Sequence, residues 1–420
     1  AFTHFCIGRT GIGTLSLRRR IAIMLEHFKA LKAPETGRRA IQITEGDSFC
    51  YPLYYFIPSI SSDGRYLVYH RAEKNNLQLH RMDLETGESR RITQATSPKT
   101  RWVPWCVESG TGVMDHLSVL NVRRNEVIYF DGNNARCVSI HGEEDRLLFT
   151  IPEDRMPMGQ NCVSADGKWF VYIHHDTNNF HEVYDGKGSN RHLSRGTKLA
   201  AYHLDTGEHR TLVVINSPIH HVLPYGNDHF VFCHPATENG MLLTDLEGGW
   251  YTHLRTQDEN GWTVCHYVAT CSGLAYELLK GASGQGSGLY DPFSHRKYEF
   301  SLPSTFGYTH TGADPEGLLW IYENQIRARE EPDTEKHVHD LWFLAAHVPD
   351  GKDEWIRLSG DWPTFGDGQK SHFHPRLTPD RNWILMTAGD PDTRTNHLFL
   401  IDVSDLPATR GIPKLIDKSD

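Results

Sequence analysis

From about Ile60 onward, short apolar runs alternate with clusters of turn-forming residues, and the alternation recurs along the chain. Ser62-Asp63-Gly64 leads into Tyr66-Leu67-Val68-Tyr69, and Ala165-Asp166-Gly167 leads into Trp169-Phe170-Val171-Tyr172. Pro315-Glu316-Gly317 precedes Leu318-Leu319-Trp320-Ile321-Tyr322, and Pro379-Asp380-Arg381 precedes Trp383-Ile384-Leu385-Met386. Each string reads as a hairpin turn feeding a buried strand. A second signal, Leu-Glu-Thr-Gly-Glu at 84–88 and Leu-Asp-Thr-Gly-Glu at 204–208, lies between apolar runs and marks another hairpin. Two turn types per unit imply four strands per unit. The units fall at 60–95, 101–151, 158–215, 219–256, 265–303, 310–359 and 372–415, close to the period of propeller blades. The expected fold is all-β, a seven-bladed β-propeller over 36–420. A leftover strand near 39–44 is placed to complete the last blade and close the ring.

The pattern differs at the start. Leu17, Ile21, Met24, Leu25, Phe28 and Leu31 recur with helical spacing, with Thr14 or Ser16 as cap and Pro34 as stop. Residues 1–35 are therefore expected to form a short N-terminal helical extension.

The repeat also orders the histidines. Seven places before the turn glycine stand His266 (for Gly273) and His310 (for Gly317), and His374 stands seven before Arg381, which holds the same turn position. The same count gives His220 in the fourth unit and Gln160 in the third. Equivalent blade positions lie at one radius and one end of a propeller, so these side chains should converge on one mouth of the channel. One histidine at a strand start ordinarily just hydrogen-bonds a loop carbonyl, but several in register suit a metal or proton-transfer site. The densest group is Gln369-Lys370-Ser371-His372-Phe373-His374-Pro375, in which an extended chain puts His372 and His374 on one face. With His310, these neutral imidazole and amide donors form a candidate set that would leave a divalent cation its full charge for an anionic substrate.

Composition narrows the partners. Lys plus Arg number 43 against 53 Asp plus Glu, a net charge of −10, which argues against nucleic acid or an anionic membrane as the main partner. No segment approaches a membrane-spanning length of apolar residues, and Ala1 to Gly13 lacks a secretory pattern. The eight cysteines contain no C-x-x-C pair, so reduced thiols in a cytoplasm are expected, although the start at Ala1 leaves a removed leader open. No Gly-x-Ser-x-Gly elbow is present, Ser283 and Ser287 read as part of a glycine-rich hairpin, and no distinct carboxylate pair suggests glycoside hydrolysis. The competing expectation outside enzymology is a propeller interaction scaffold.

The strings Gln369-x-x-His372-x-His374-Pro375, His310 before a turn glycine and Cys265-His266 before another resemble the oligogalacturonate lyases, seven-bladed propeller polysaccharide lyases that bind manganese. The resemblance runs from about Thr36 to Pro407 and includes Phe232-Cys233-His234. It implies that His310, Gln369, His372 and His374 hold the divalent metal and that His266 is the base; His220 and Gln160, from their place in the repeat, and His234 are expected to line the substrate. The substrate it implies is an acidic oligosaccharide, cleaved by β-elimination to a 4,5-unsaturated product. Two departures leave the choice of uronide open: 235–249 contains no Lys or Arg where the family has an arginine, and Phe49-Cys50-Tyr51 lacks a histidine.

Overall fold

The computed structural model describes residues 25–99, 110–177, 196–216, 218–234, 240–256, 258, 261–279, 285–303, 310–314, 317, 319–326, 340–348, 354–366 and 368–406. The strands among them form seven sheets, antiparallel except where Thr111–Gly112 joins the first in parallel, that follow one another along the chain as the blades of a propeller. Blade 3 is typical: Arg155–Val163, Trp169–Asp176, Thr197–His203 and His209–Ile215 pair in sequence order from the innermost strand outward. Blade 7 is assembled from both ends of the described chain. Arg39–Gln42 pairs with Thr395–Asp402, with Ile41 opposite Leu400, and Lys29–Lys32 adds a fifth strand outside it.

The local chemistry of the turns explains why the repeat forms. Gly64, Gly167 and Gly317 adopt φ of 77°, 77° and 72°, and Arg381 occupies the same position at 62°. Their amides close equivalent turns onto the carbonyls of Ser61, Ser164, Asp314 and Thr378 at 2.8–2.9 Å. Asp63, Asp166 and Asp380 brace three of these turns, each accepting the amide two residues on. The blades then bury apolar faces against one another. Trp320 of blade 6 is fully buried and its ring stacks on Phe300 of blade 5 at 5.2 Å.

The expected N-terminal helix is corrected where it can be followed. Leu17, Ile21 and Met24 lie outside the described residues; beyond them Leu25–His27 is a single 3-10 turn and Lys29–Lys32 a strand. Leu31 sits opposite Ala40, because pairing with the exposed edge of Arg39–Gln42 satisfies backbone groups that an isolated short helix would leave marginal. Among the described residues, no helix is long and apolar enough to cross a membrane.

The first blade carries the feature that shapes the site. Its inner strand comes in two pieces, Phe49–Tyr51 opposite 70–72 and a second piece in which Ile60 bridges Leu67. The residues between, Pro52 to Pro58, bulge inward, and Leu53, Tyr54, Tyr55, Phe56 and Ile57 are all buried.

Candidate active site

Inner strands are irregular at one level of the ring. Register shifts fall between Met158 and Cys162 in blade 3, His220 and Leu223 in blade 4, and Val264 and Tyr267 in blade 5, so Gln160, His221 and His266 sit in bulges. A bulge re-aims the side chains it carries. Non-glycine residues with positive φ mark the same level: His116 at 56°, His221 at 49° and His374 at 46°. Such backbone costs on the order of 1–3 kcal/mol per residue and persists where the surroundings over-determine it, commonly at functional sites.

Around the Pro52–Pro58 bulge these side chains meet. Tyr54 lies 4.6 Å (ring centroids) from His374, 5.5 Å from His116 and 5.7 Å from His221, and its hydroxyl is 3.1 Å from His221 Nε2. Tyr55 lies 5.0 Å from His310 and 5.7 Å from His266. The two tyrosines thus touch histidines from blades 2, 4, 5, 6 and 7 at once.

Against this aromatic packing, His310, His372 and His374 bring ligand atoms within 4.8 Å of one another. Gln369 Oε1 is 2.9 Å from His374 Nε2, adding the fourth donor from the 3-10 turn Gly368–Ser371. Burial pushes His310 and His374 well below the usual imidazole range, as do neighbouring imidazoles, while Glu323 opposes the shift at His374. Those two rings are therefore neutral near pH 7, the form that binds metal. Three imidazoles and an amide oxygen with converging donor atoms fit a divalent first-row cation.

A buried carboxylate stands directly behind this donor set. Glu323, fully buried, contacts His310 Nδ1, lies 3.2 Å from His372 Nδ1 and accepts the His374 backbone N–H at 2.6 Å. A carboxylate that orients several ligands is a typical outer partner of a metal site, and its charge offsets part of a cation's. Next to this group the His266 ring lies 4.1 Å from that of His310, 2% exposed, with Nδ1 2.7 Å from Glu277 Oε2.

The remaining sequence candidates divide. Gln160 is on the ring, 1% exposed, with no hydrogen-bond partner for its Oε1 among the described residues. His220 is buried on the sheet opposite Cys233, while its neighbour His221 turns toward Tyr54 and His266. The His234 backbone pairs with Gly240; its side chain and residues 235–239 lie outside the described set. Sequence reasoning missed Tyr54, Tyr55, His116, His221, Glu277 and Glu323. A signal existed for the two acids: each directly follows an apolar run that ends in a tyrosine (Leu274-Ala275-Tyr276 and Trp320-Ile321-Tyr322), where an unpaired carboxylate is costly.

A further cluster adjoins the centre. Tyr51 stacks on His70 at 4.9 Å and donates to Asp115 at 2.8 Å, and His116 Nε2 lies 3.5 Å from the same carboxylate. Burial would raise Asp115, but the charges of His116, Lys99, His70 and Lys370 outweigh it and hold the carboxyl low.

Known proteins resemble this chain over most of its length. The chain is 23% identical over 398 residues to an oligogalacturonate lyase of Dickeya dadantii, covering 90% of this chain and 96% of that one. It is 22% identical over 399 residues to an oligogalacturonide lyase of Pectobacterium atrosepticum, with the same coverage. Two solved structures superpose with TM-scores of 0.71: an oligogalacturonate lyase from Vibrio parahaemolyticus (17% identity, 90% and 96% covered) and an oligogalacturonate lyase in complex with manganese (21% identity, 91% and 96% covered). The oligogalacturonate lyase family itself matches residues 19–406, a span that takes in all seven blades and every residue of the candidate centre, and the chain belongs to that family.

Proposed function

We propose that the protein cleaves oligogalacturonate by β-elimination at the histidine centre, with His310, Gln369, His372 and His374 holding a divalent cation and His266 removing the proton. The observation that carries this reading is the placement of His266 beside, but outside, the converging donors: its ring contacts His310 while its Nδ1 is engaged by Glu277. Manganese is the first ion to test, since a similar solved structure is described as a manganese complex.

The C5 proton of a uronate is weakly acidic, and its removal builds charge on the C6 carboxylate. A bound cation supplies Lewis-acid stabilisation of that charge, stronger in the transition state than in the ground state. His266 accepts the C5 proton through its second ring nitrogen; the released electron pair forms the C4–C5 double bond as the C4–O bond breaks, and the departing oxygen takes a proton from water and leaves as a hydroxyl. Tyr54 and Tyr55 form an apolar, aromatic packing layer against His374, His310 and His266, which keeps water from one side of the donors. Glu323 holds His310 and His372 in place, and the fixed backbone of His374 aims its ring at Gln369. Gln160 offers an unengaged carbonyl oxygen to a sugar hydroxyl; His220 and His234 are assigned to substrate on their repeat position and the family resemblance.

The direct test is to incubate the protein with oligogalacturonate, as purified, after chelation and after adding Mn²⁺, and to follow the ultraviolet absorbance of the unsaturated product. Absorbance should rise, stop on chelation and return with the ion. No product with Mn²⁺ present, with other uronate polymers also left intact, would sink the reading.

A further inference from the structure

Blades 5 and 6 contain the same pair of residues twice. In blade 6, Thr311 of the inner strand lies opposite Tyr322, and the residues flanking that pair, His310 and Glu323, face each other through Nδ1. In blade 5, Tyr267 lies opposite Tyr276, and the flanking residues His266 and Glu277 face each other through Nδ1 at 2.7 Å. Both glutamates are fully buried. The blade 6 pair includes one of the converging candidate ligands, His310; the blade 5 pair carries His266, which stands beside that group.

Stability does not account for Glu277. A buried carboxylate carries a desolvation cost, and a well-packed apolar pair in its place is commonly neutral or stabilising. Its neighbours Leu274, Ala275, Tyr276 and Leu278 are buried and would accommodate an apolar side chain in the strand pattern. What the carboxylate does supply is direction. A carboxylate, when ionised, only accepts hydrogen bonds, so it favours a proton on the facing Nδ1 of His266 and leaves the lone pair of an uncharged ring on Nε2.

We propose that Glu277 is the positioning residue of His266, selecting the Nδ1–H tautomer and fixing the ring so that Nε2 is the proton acceptor. The inference rests on the reading of His266 as the base. It treats the repeat as having built one histidine–glutamate unit and used it for two jobs, ligand orientation in blade 6 and base orientation in blade 5.

The test has a readout independent of turnover. Long-range ¹H–¹⁵N spectra of the imidazole rings in the metal-free full-length protein, with the His266 signals identified by their loss in His266→Ala, report which nitrogen is protonated. The parent should show His266 protonated at Nδ1 alone. In Glu277→Gln the single tautomer should be lost, kcat should fall roughly ten- to a hundredfold, and KM and metal content should stay within about twofold. Glu277→Asp should recover part of the lost kcat. A parent ring protonated at Nε2 overturns the proposal, and that measurement stands even if Glu277→Gln fails to fold. Near-parental turnover in Glu277→Gln beside an inactive His266→Ala overturns the pairing and leaves the base assignment intact. An active His266→Ala overturns both.

Discussion

Individual side chains in the centre carry separable roles. His372→Ala and His374→Ala each remove one of the converging donors, so elemental analysis should find divalent metal largely lost from both proteins; full occupancy in both would remove these residues from the ligand set. His266→Ala should keep the metal and still bind oligouronide while turnover falls on the order of a hundredfold to ten-thousandfold. Turnover within a few-fold of the parent would move the base elsewhere. Glu323→Gln retains shape but removes the charge that His310, His372 and the His374 amide share; metal affinity should drop about 10- to 100-fold, as for other outer partners, when measured by titration calorimetry.

At the scale of elements, two pieces of chain do disproportionate work. The strand Arg39–Gln42 closes the ring, and Ile41 within it is fully buried opposite Leu400. Ile41→Ala should cost about 2–5 kcal/mol in urea denaturation, the usual range for emptying a packed core position; a loss below the error of the measurement would mean that closure does not depend on that strand. The Pro52–Pro58 bulge fills the middle of the ring, with Tyr54 and Tyr55 touching histidines of five blades. That bulge joins its own blade to residues of five others in one packed centre. The 3-10 turn Gly368–Ser371 is also well placed: it presents Gln369 and leads directly into His372 and His374.

For the whole molecule, the buried histidines set the response to acid. Burial pushes His70 down to about 3, with help from His116; it pushes His174 down to about 3 with Arg155, and His80 to about 4 with Arg71. In the unfolded chain these rings titrate near 6.5. Between the two values the unfolded state binds protons that the folded state does not, so stability is complete above about pH 6.5 and falls as pH drops toward 4. Each such group contributes a slope of about 1.4 kcal/mol per pH unit in that window. Thermal denaturation from pH 7 to pH 4 should show a steep loss of Tm with uptake of protons on unfolding; a flat profile would show these rings to be solvated.

The amino-acid sequence by itself determined what depends on neighbours along the chain. Turn chemistry is local, so the hairpin strings marked the blades, and even Arg381 could be placed where a glycine was expected because the residues around it kept the pattern. The His372-x-His374 spacing and the leftover strand at 39–44 are likewise properties of short segments. Over Leu25 to Leu31 the expected helix gave way for the opposite reason: its apolar spacing was local, but an open sheet edge competed for the same backbone. Tertiary structure alone decided the rest of the centre. A bulge of one residue exchanges which side chain faces the axis, so His221 rather than His220 meets Tyr54, and His116 joins although no turn count pointed to it. The pairs His266–Glu277 and His310–Glu323 lie across two strands, and the Tyr54–Tyr55 packing spans the ring. Such contacts are set by register between strands and by closure of the propeller, which no window of sequence contains.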